Sequence, residues 1–178
     1  GIFEHPTQAL LDAFTMREEF DTVRGLKVTI VGDIRHSRVA RSNFYILSTL
    51  GAQVQFAGPD LFRADDLVEV PWVDLDEAIQ DTDVLMLLRV QHERHTEIHH
   101  VETYHSKFGL TEKRLAQLPT NAIIMHPGPV NRGVEICSKG MEDSRSRILR
   151  QVENGVAVRM AVLDWCLKGG SHGKLVPA

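Results

Sequence analysis

Cysteine is nearly missing from this sequence: of 178 residues, only Cys137 and Cys166 carry thiols. Two are too few for a disulfide framework, so a reducing compartment, the cytosol, is expected, with both thiols buried or partly buried. No apolar run approaches the roughly 18 residues needed to cross a bilayer, so no membrane partner is expected. A basic excess is also lacking: 20 Lys and Arg stand against 24 Asp and Glu, a net charge of −4 with His neutral. Non-specific nucleic-acid binding depends on such an excess, so no nucleic-acid partner is expected. Net charge does not report clustering, and a small basic pocket remains open. The opening, GIFEHPTQ, has no basic stretch ahead of an apolar one and does not read as a signal peptide. The first residue is Gly and a helical pattern follows within a few residues, as expected of a chain cut inside a larger protein. Internal repeats and low-complexity blocks are missing too.

What is present suits one globular domain with a core: 43% apolar and 25% charged residues. Four short apolar runs stand out: Lys27-Val28-Thr29-Ile30-Val31, Gln53-Val54-Gln55-Phe56-Ala57, Val84-Leu85-Met86-Leu87-Leu88 and Ala122-Ile123-Ile124-Met125. The first, third and fourth are nearly continuous, which suits parallel strands buried on both faces. The second alternates, as a strand nearer an edge does. Residues 70–73, interrupted by Pro71, fit a short edge strand.

Helical patterns lie between these runs. One covers residues 37–50 and stops at Gly51. A second opens at Asp74 with acids that favour a helix N-terminus, and a third opens at the cap-like Thr111. Strands alternating with helices predict an α/β fold: a doubly wound, mostly parallel, Rossmann-like sheet with helices on both faces. Two further helices flank it, residues 6–20 with Pro6 in the first turn, and residues 144–167. Gly155, in the middle of the latter, costs about 1 kcal/mol relative to Ala, for which a close helix–helix contact offers a reason. The expected organisation is an interdomain helix (1–20), the α/β domain (21–143), a long C-terminal interdomain helix (144–168) and a flexible tail (169–178).

Ligands of open parallel sheets bind beyond the carboxyl ends of the strands. Strand one delivers Gly32-Asp33-Ile34-Arg35-His36-Ser37-Arg38, strand three Arg89-Val90-Gln91-His92-Glu93-Arg94, and strand four His126-Pro127-Gly128-Pro129. Arg38 and Arg89 are placed to converge on a doubly anionic small molecule, because guanidinium forks grip carboxylates in pairs of bonds. The bland alternative gives each a surface ion pair. Two prolines around Gly128 remove donors and permit a cis bond, so this loop either points carbonyls at a ligand or is simply a rigid turn. His5 and Gln8 share a face at the start of the first helix. His5 there is able to donate to a carbonyl oxygen and Gln8 to accept from an amide, or both serve as capping and surface groups.

The His-rich stretch of residues 92–105 contains His95, His99 and His100 at helical spacing, but no strict ligand motif accompanies them. It is read as a solvated loop, about 20 residues long and suited to a lid, rather than a metal site. Val31-Gly32-Asp33 begins like a dinucleotide-binding turn, yet Arg35, His36 and Ser37 stand where further glycines are needed. Neither a Gly-Lys-Ser/Thr phosphate loop nor a Gly-x-Ser-x-Gly elbow occurs.

Together these segments resemble the aspartate carbamoyltransferase family. His5-Pro6-Thr7-Gln8-Ala9-Leu10-Leu11-Asp12 looks like its helix motif. Gly32 through Ser42 is similar to the segment supplying a substrate arginine, Arg89 through Arg94 to the second substrate segment, and His126 through Gly133 to the proline loop. All four stand in family order over nearly the whole chain. The ornithine enzymes share the His-Pro helix but usually carry a Cys in the proline loop and a Ser-Met-Gly substrate loop, which this sequence lacks. Gly128 stands where some members carry Leu or Ala.

The resemblance implies that His5 and Gln8 contact the carbamoyl group of carbamoyl phosphate and that Gly128 and Pro129 offer carbonyls to its amide. It implies that Arg38 and Arg89, assisted by Gln91, hold the carboxylates of L-aspartate, and that Arg94 stabilises domain and lid closure. No cofactor and no metal are implied. The family's Ser-Thr-Arg-Thr phosphate loop and a lysine and serine from a neighbouring subunit are absent from this sequence, being part of an amino-terminal carbamoyl-phosphate domain. The chain alone is therefore expected to be inactive, and its parent a cytoplasmic homotrimer of pyrimidine biosynthesis. Two alternatives stay open: a different amino-acid acceptor, and a non-catalytic domain that binds or assembles with another pyrimidine-pathway enzyme.

Overall fold

The computed structural model describes residues 3–90 and 101–168. Four strands, β1 (Lys27–Val31), β2 (Gln53–Ala57), β3 (Val84–Leu87) and β4 (Ile123–Met125), form one sheet in the order β2-β1-β3-β4. All three pairings are parallel. Side chains alternate between the faces as strand geometry demands. Val28, Ile30, Val84, Met86, Ile123 and Met125 join one core with Ala13 and Met16 of α1 (Pro6–Phe20) and Ala40 and Leu47 of α2 (Arg38–Thr49). Val31, Leu85, Leu87 and Ile124 join a second core on the opposite face. That core includes Leu75 of α3 (Leu75–Ala78), Leu115 of α5 (Glu112–Gln117) and Ile148 of α7 (Ile148–Leu167). The doubly wound α/β architecture follows from strands that are apolar on both sides.

The helix starts follow local chemistry. Ser37 Oγ accepts from Ala40 N–H, Asp74 from the N–H groups of residues 76 and 77, and Thr111 Oγ1 from Arg114 N–H. Elsewhere the structure departs from expectation. Residues 70–73 form a single parallel bridge, Trp72 to Phe56, rather than a strand. Phe56 N–H donates to Pro71 O and Val73 N–H to Phe56 O, and proline beside the bridge ends the ladder. The last helix begins at Ile148 rather than residue 144, because Ser146 bridges to Ile124 beside β4. Part of the expected lid is helical: α4 (Val101–Phe108) packs Tyr104 against Val134 and Phe108. A five-residue helix, α6 (Ser138–Glu142), follows the proline loop. Residues 92–100, with Gln91, lie outside the described residues, and so does the tail from residue 169. Cys137 is buried, but Cys166, expected to be at least partly buried, is exposed on α7.

Helices α1 and α7 meet through polar groups. Gln151 donates to Asp12, Asn154 to Thr15 and Glu18, and Arg147 to Glu19. A Cβ on Gly155 would touch Leu11 of α1 at 3.4 Å, and it would also collide with the Arg159 guanidinium that folds back over this position. The helix contact at Gly155 leaves a Cβ at ordinary contact distance from Leu11, and the Arg159 guanidinium is the flexible end of a side chain that can swing aside. Along the opposite side of α7, Leu149, Val152, Val156, Met160 and Leu163 recur at helical spacing and are exposed. The helix thus turns amide side chains inward and an apolar stripe outward, the reverse of an ordinary surface helix.

At the carboxyl ends of β1 and β2 the backbone runs unusually close. A Cβ on Gly58 (φ +153°) would lie 2.6 Å from the Gly32 carbonyl oxygen. Gly58→Ala should therefore lower stability by about 1–3 kcal/mol, the usual cost of overpacking. Urea unfolding measures this, and an unchanged midpoint would mean the two strand ends separate at no cost.

Candidate functional site

Six of the eight residues singled out from the sequence line one cavity of about 490 Å³: His5, Gln8, Arg38, Arg89, Gly128 and Pro129. The other two, Gln91 and Arg94, lie outside the described residues. Asp33, His36, Ser37, Val39, Leu88 and Pro127 complete the lining. The cavity opens where the strand ends of a parallel sheet place their loops.

Each wall is set by its own element. His5 is the N-cap of α1, and its carbonyl accepts from the N–H groups of Gln8 and Ala9. Its backbone N–H donates to Ser42 Oγ of α2 at 2.8 Å, and the Ser42 hydroxyl donates to Glu4. Partial burial, with the Arg38 and Arg159 guanidiniums nearby, holds the His5 imidazole below its ordinary value of 6.5. It is therefore neutral at pH 7, with one ring N–H to donate and one nitrogen to accept.

Arg38 is the first residue of α2, placed by the Ser37 cap, so guanidinium and helix N-terminus bring positive potential to the same wall. Behind it Asp33 accepts from both the backbone N–H of His36 (3.1 Å) and its ring Nδ1 (2.9 Å), closing the turn that follows β1. Arg89 stands two residues past the end of β3, after Leu88, whose N–H donates to Val31 O. Beyond it, buried Glu135 accepts from Val90 N–H at 2.8 Å, from Asn131 N–H at 2.7 Å and from the Asn131 side chain at 2.8 Å. One carboxylate thus ties the Arg89 loop to the proline loop.

The proline loop turns no N–H group toward the cavity. Pro127 and Pro129 have none, and Gly128 N–H donates to Nδ1 of its neighbour His126 at 2.9 Å. Gly128 has φ +68° and the Gly128–Pro129 peptide is cis. A bond to Nδ1 requires that His126 carry its proton on Nε2, which faces Glu135 Oε2 at 3.8 Å. Burial, with Arg89 beside it, pushes His126 down to about 4. His126 N–H in turn donates to Gln151 Oε1 at 2.8 Å.

Gln8 is anchored from beneath. Its Nε2 donates to Asp12 Oδ1 at 2.9 Å, and Asp12 also accepts from Gln151 and Asn43, each at 2.8 Å. Burial raises Asp12 to about 6 against these three stabilising bonds. Sequence reasoning did not single out Asp12, His126, Glu135 or Gln151. The Gln8–Asp12 pair is legible as an i,i+4 spacing. Gln151 is 139 residues from Asp12, and no local pattern joins them.

A doubly wound α/β fold with two arginines at neighbouring strand ends beside a donor-free proline loop is that of a domain that binds a small molecule at its strand ends. Residues 24–166 match the family model described as "Aspartate/ornithine carbamoyltransferase, Asp/Orn binding domain", and the chain belongs to that family. It is 54% identical over 171 residues to the aspartate carbamoyltransferase catalytic subunit of Listeria monocytogenes serotype 4b, a match covering 94% of this chain and 56% of the relative. The same subunit from Staphylococcus saprophyticus is 51% identical over 172 residues, covering 94% and 57%. Among solved structures, the catalytic subunit of M. jannaschii aspartate transcarbamoylase superposes with a TM-score of 0.81 at 28% identity, covering 97% of this chain and 59% of that one. The Trypanosoma cruzi aspartate transcarbamoylase in complex with carbamoyl aspartate and phosphate gives 0.78 at 27% identity, covering 92% and 56%. This chain spans little more than half the length of these relatives.

The two displaced titrations have opposite signs. His126 ionises near 4 in the folded chain and near 6.5 unfolded, so its contribution is intact above pH 6.5 and is lost as pH falls towards 4. Asp12 ionises near 6 folded and 3.8 unfolded, so its contribution is full below pH 3.8 and is lost as pH rises through 6. Between about pH 4 and 6 the two oppose each other. In urea unfolding across that window, Asp12→Asn should make stability fall more steeply on acidification, and His126→Gln less steeply. Identical slopes for both variants and the parent would show that neither group titrates there.

Proposed function

We propose that this chain supplies the aspartate-binding half of an aspartate carbamoyltransferase. The observation that carries the reading is one cavity walled by two arginines, a neutral histidine and a loop without donors. Arg38 and Arg89 bind the two carboxylates of L-aspartate, with Gln91 assisting. A dicarboxylate suits two guanidiniums, whereas the cationic side chain of ornithine is repelled by them. His5 donates to the carbamoyl oxygen as negative charge builds there, and Gln8 together with the carbonyls of Gly128 and Pro129 accepts from the carbamoyl NH2.

The aspartate amine attacks the carbamoyl carbon. A C–N bond forms, the C–O bond to phosphate breaks, and phosphate leaves with the electron pair and takes up the proton that the amine loses. The products are N-carbamoyl-L-aspartate and phosphate. Rate enhancement comes from orientation and charge stabilisation, with no cofactor in the scheme.

In this reading an amino-terminal portion supplies the phosphate contacts, and the outward stripe of α7 with Leu10 and Phe14 of α1 is where it packs. Arg94 stabilises the closed arrangement of domains. In this reading residues 1–20 and 144–168 join the α/β unit of residues 21–143 to that portion, ahead of a tail from residue 169. The parent is a cytoplasmic homotrimer of the pyrimidine pathway.

Calorimetry with succinate, then aspartate and ornithine, tests the reading. Succinate and aspartate should bind and ornithine should not, and Arg38→Ala or Arg89→Ala should each weaken binding by roughly 10- to 100-fold, the loss expected for a charge-assisted pair. The chain alone should form no carbamoyl aspartate, and the amino-terminal half of a relative should restore turnover. No dicarboxylate binding, together with no turnover on complementation, sinks the proposal. Turnover by the chain alone refutes its dependence on the upstream portion.

A further inference from the structure

Asp12 is fully buried, one turn beyond Gln8 on the same face of α1. Its three partners, Gln8 from α1, Asn43 from α2 and Gln151 from α7, all carry primary amides. An amide is able to present either its oxygen or its nitrogen, whereas a carboxylate only accepts. A charged Asp12 therefore turns the nitrogen of every partner toward itself. For Gln8, which lines the cavity, the oxygen is then the end turned away from Asp12. For Gln151, Oε1 is left to accept from His126 N–H at the root of the proline loop.

We propose that Asp12 is a positioning residue for carbamoyl transfer: its charge selects the amide orientation in which Gln8 presents a carbonyl oxygen, rather than an N–H, to the carbamoyl NH2. The proposal rests on the function assigned above. It accounts for a feature that structural bridging does not require, since Asn would join the same three helices without a buried charge. Keeping that charge opposes burial, which drives Asp12 up to about 6 even with Arg159 of α7 nearby. The Asn43 amide obeys the same rule at a visible cost. Its nitrogen donates to both Asp12 and Val39 O, and its Oδ1 is buried with no hydrogen-bond partner. That orphaned oxygen is expected where the carboxylate dictates amide orientation and the remaining end finds no donor. Gln151 obeys the same rule, its nitrogen on Asp12 and its Oε1 on His126 N–H.

The test is a kinetic double-mutant cycle in the preparation that turns over, the chain complemented by the amino-terminal half of a relative. Asp12→Asn should lower kcat/KM for carbamoyl phosphate roughly 10- to 100-fold, the loss typical of an outer hydrogen-bond partner, with the KM for aspartate little changed. In a Gln8→Ala background the same substitution should add less than about twofold. Acetyl phosphate, with methyl in place of NH2, should be discriminated less well by Asp12→Asn than by the parent. An equal loss in both backgrounds overturns the proposal and leaves Asp12 a structural bridge. No loss from Gln8→Ala alone overturns instead the role given to Gln8.

A second measurement needs no turnover. In the chain by itself, the Gln8 side-chain NH2 resonances should be protected from exchange above pH 6 and lose protection as Asp12 protonates, with Gln8, Asn43, Gln151 and Arg159 the groups that face it. Protection that persists in Asp12→Asn refutes the charge-selected orientation.

Discussion

A single buried carboxylate holds the functional end of the molecule together. Asp12 joins α1 to α2 through Asn43 and to α7 through Gln151, and α7 in turn reaches the loop after β4 through the bond from His126 to Gln151. The apolar cores on either side of the sheet set the strand order and the layer spacing. They do not by themselves specify how the opening helix sits against the proline loop, because hydrophobic burial is non-directional. Directional bonds to one charge do, and a buried network with three partners is rigid where it is satisfied. The same residues that fix the helices also fix Gln8 at the cavity.

The cavity has a polarity that follows from backbone chemistry as much as from side chains. One wall presents Arg38 at a helix start and Arg89 after β3, both donors. The opposite wall is a Pro-Gly-Pro segment whose one N–H is taken by His126, so acceptors remain. A molecule with an anionic end and an N–H end is oriented by such a site before any contact is optimised. Glu135, which does not line the cavity, keeps the two walls in register by accepting from Val90 N–H on one side and Asn131 N–H on the other. Burial of the His126 ring keeps it neutral well into acid.

The outward stripe of α7 has the composition of a core and the exposure of a surface. Leu149, Val152, Val156, Met160 and Leu163 face away from the sheet while Gln151 and Asn154 face in. The usual logic of a surface helix is inverted because the polar side of α7 is needed for Asp12, Thr15 and Glu18. A helix satisfied by hydrogen bonds on its inner side still carries a hydrophobic driving force on its outer one, and this matches a protein whose relatives are much longer than this chain.

The amino-acid order by itself determined the strands, most helix starts and the sheet class. Continuous Val, Ile, Leu and Met runs separated by capped helices admit few arrangements, and the six candidate residues that share the cavity could be picked out because they follow strand ends or open a helix. Local patterns failed where a breaker inside a segment or a distant partner outweighed them. Pro71 reduced an expected strand to one bridge, pairing with Ile124 delayed the start of α7, and packing of Tyr104 made a helix where a loop was expected. Only the tertiary structure decided which polar groups are buried together: Asp12 with Gln151 and Asn43, and Glu135 with Val90 and Asn131. Those bonds join residues up to 139 positions apart. Their partners are chosen by proximity in the folded chain, which no periodicity in the sequence encodes.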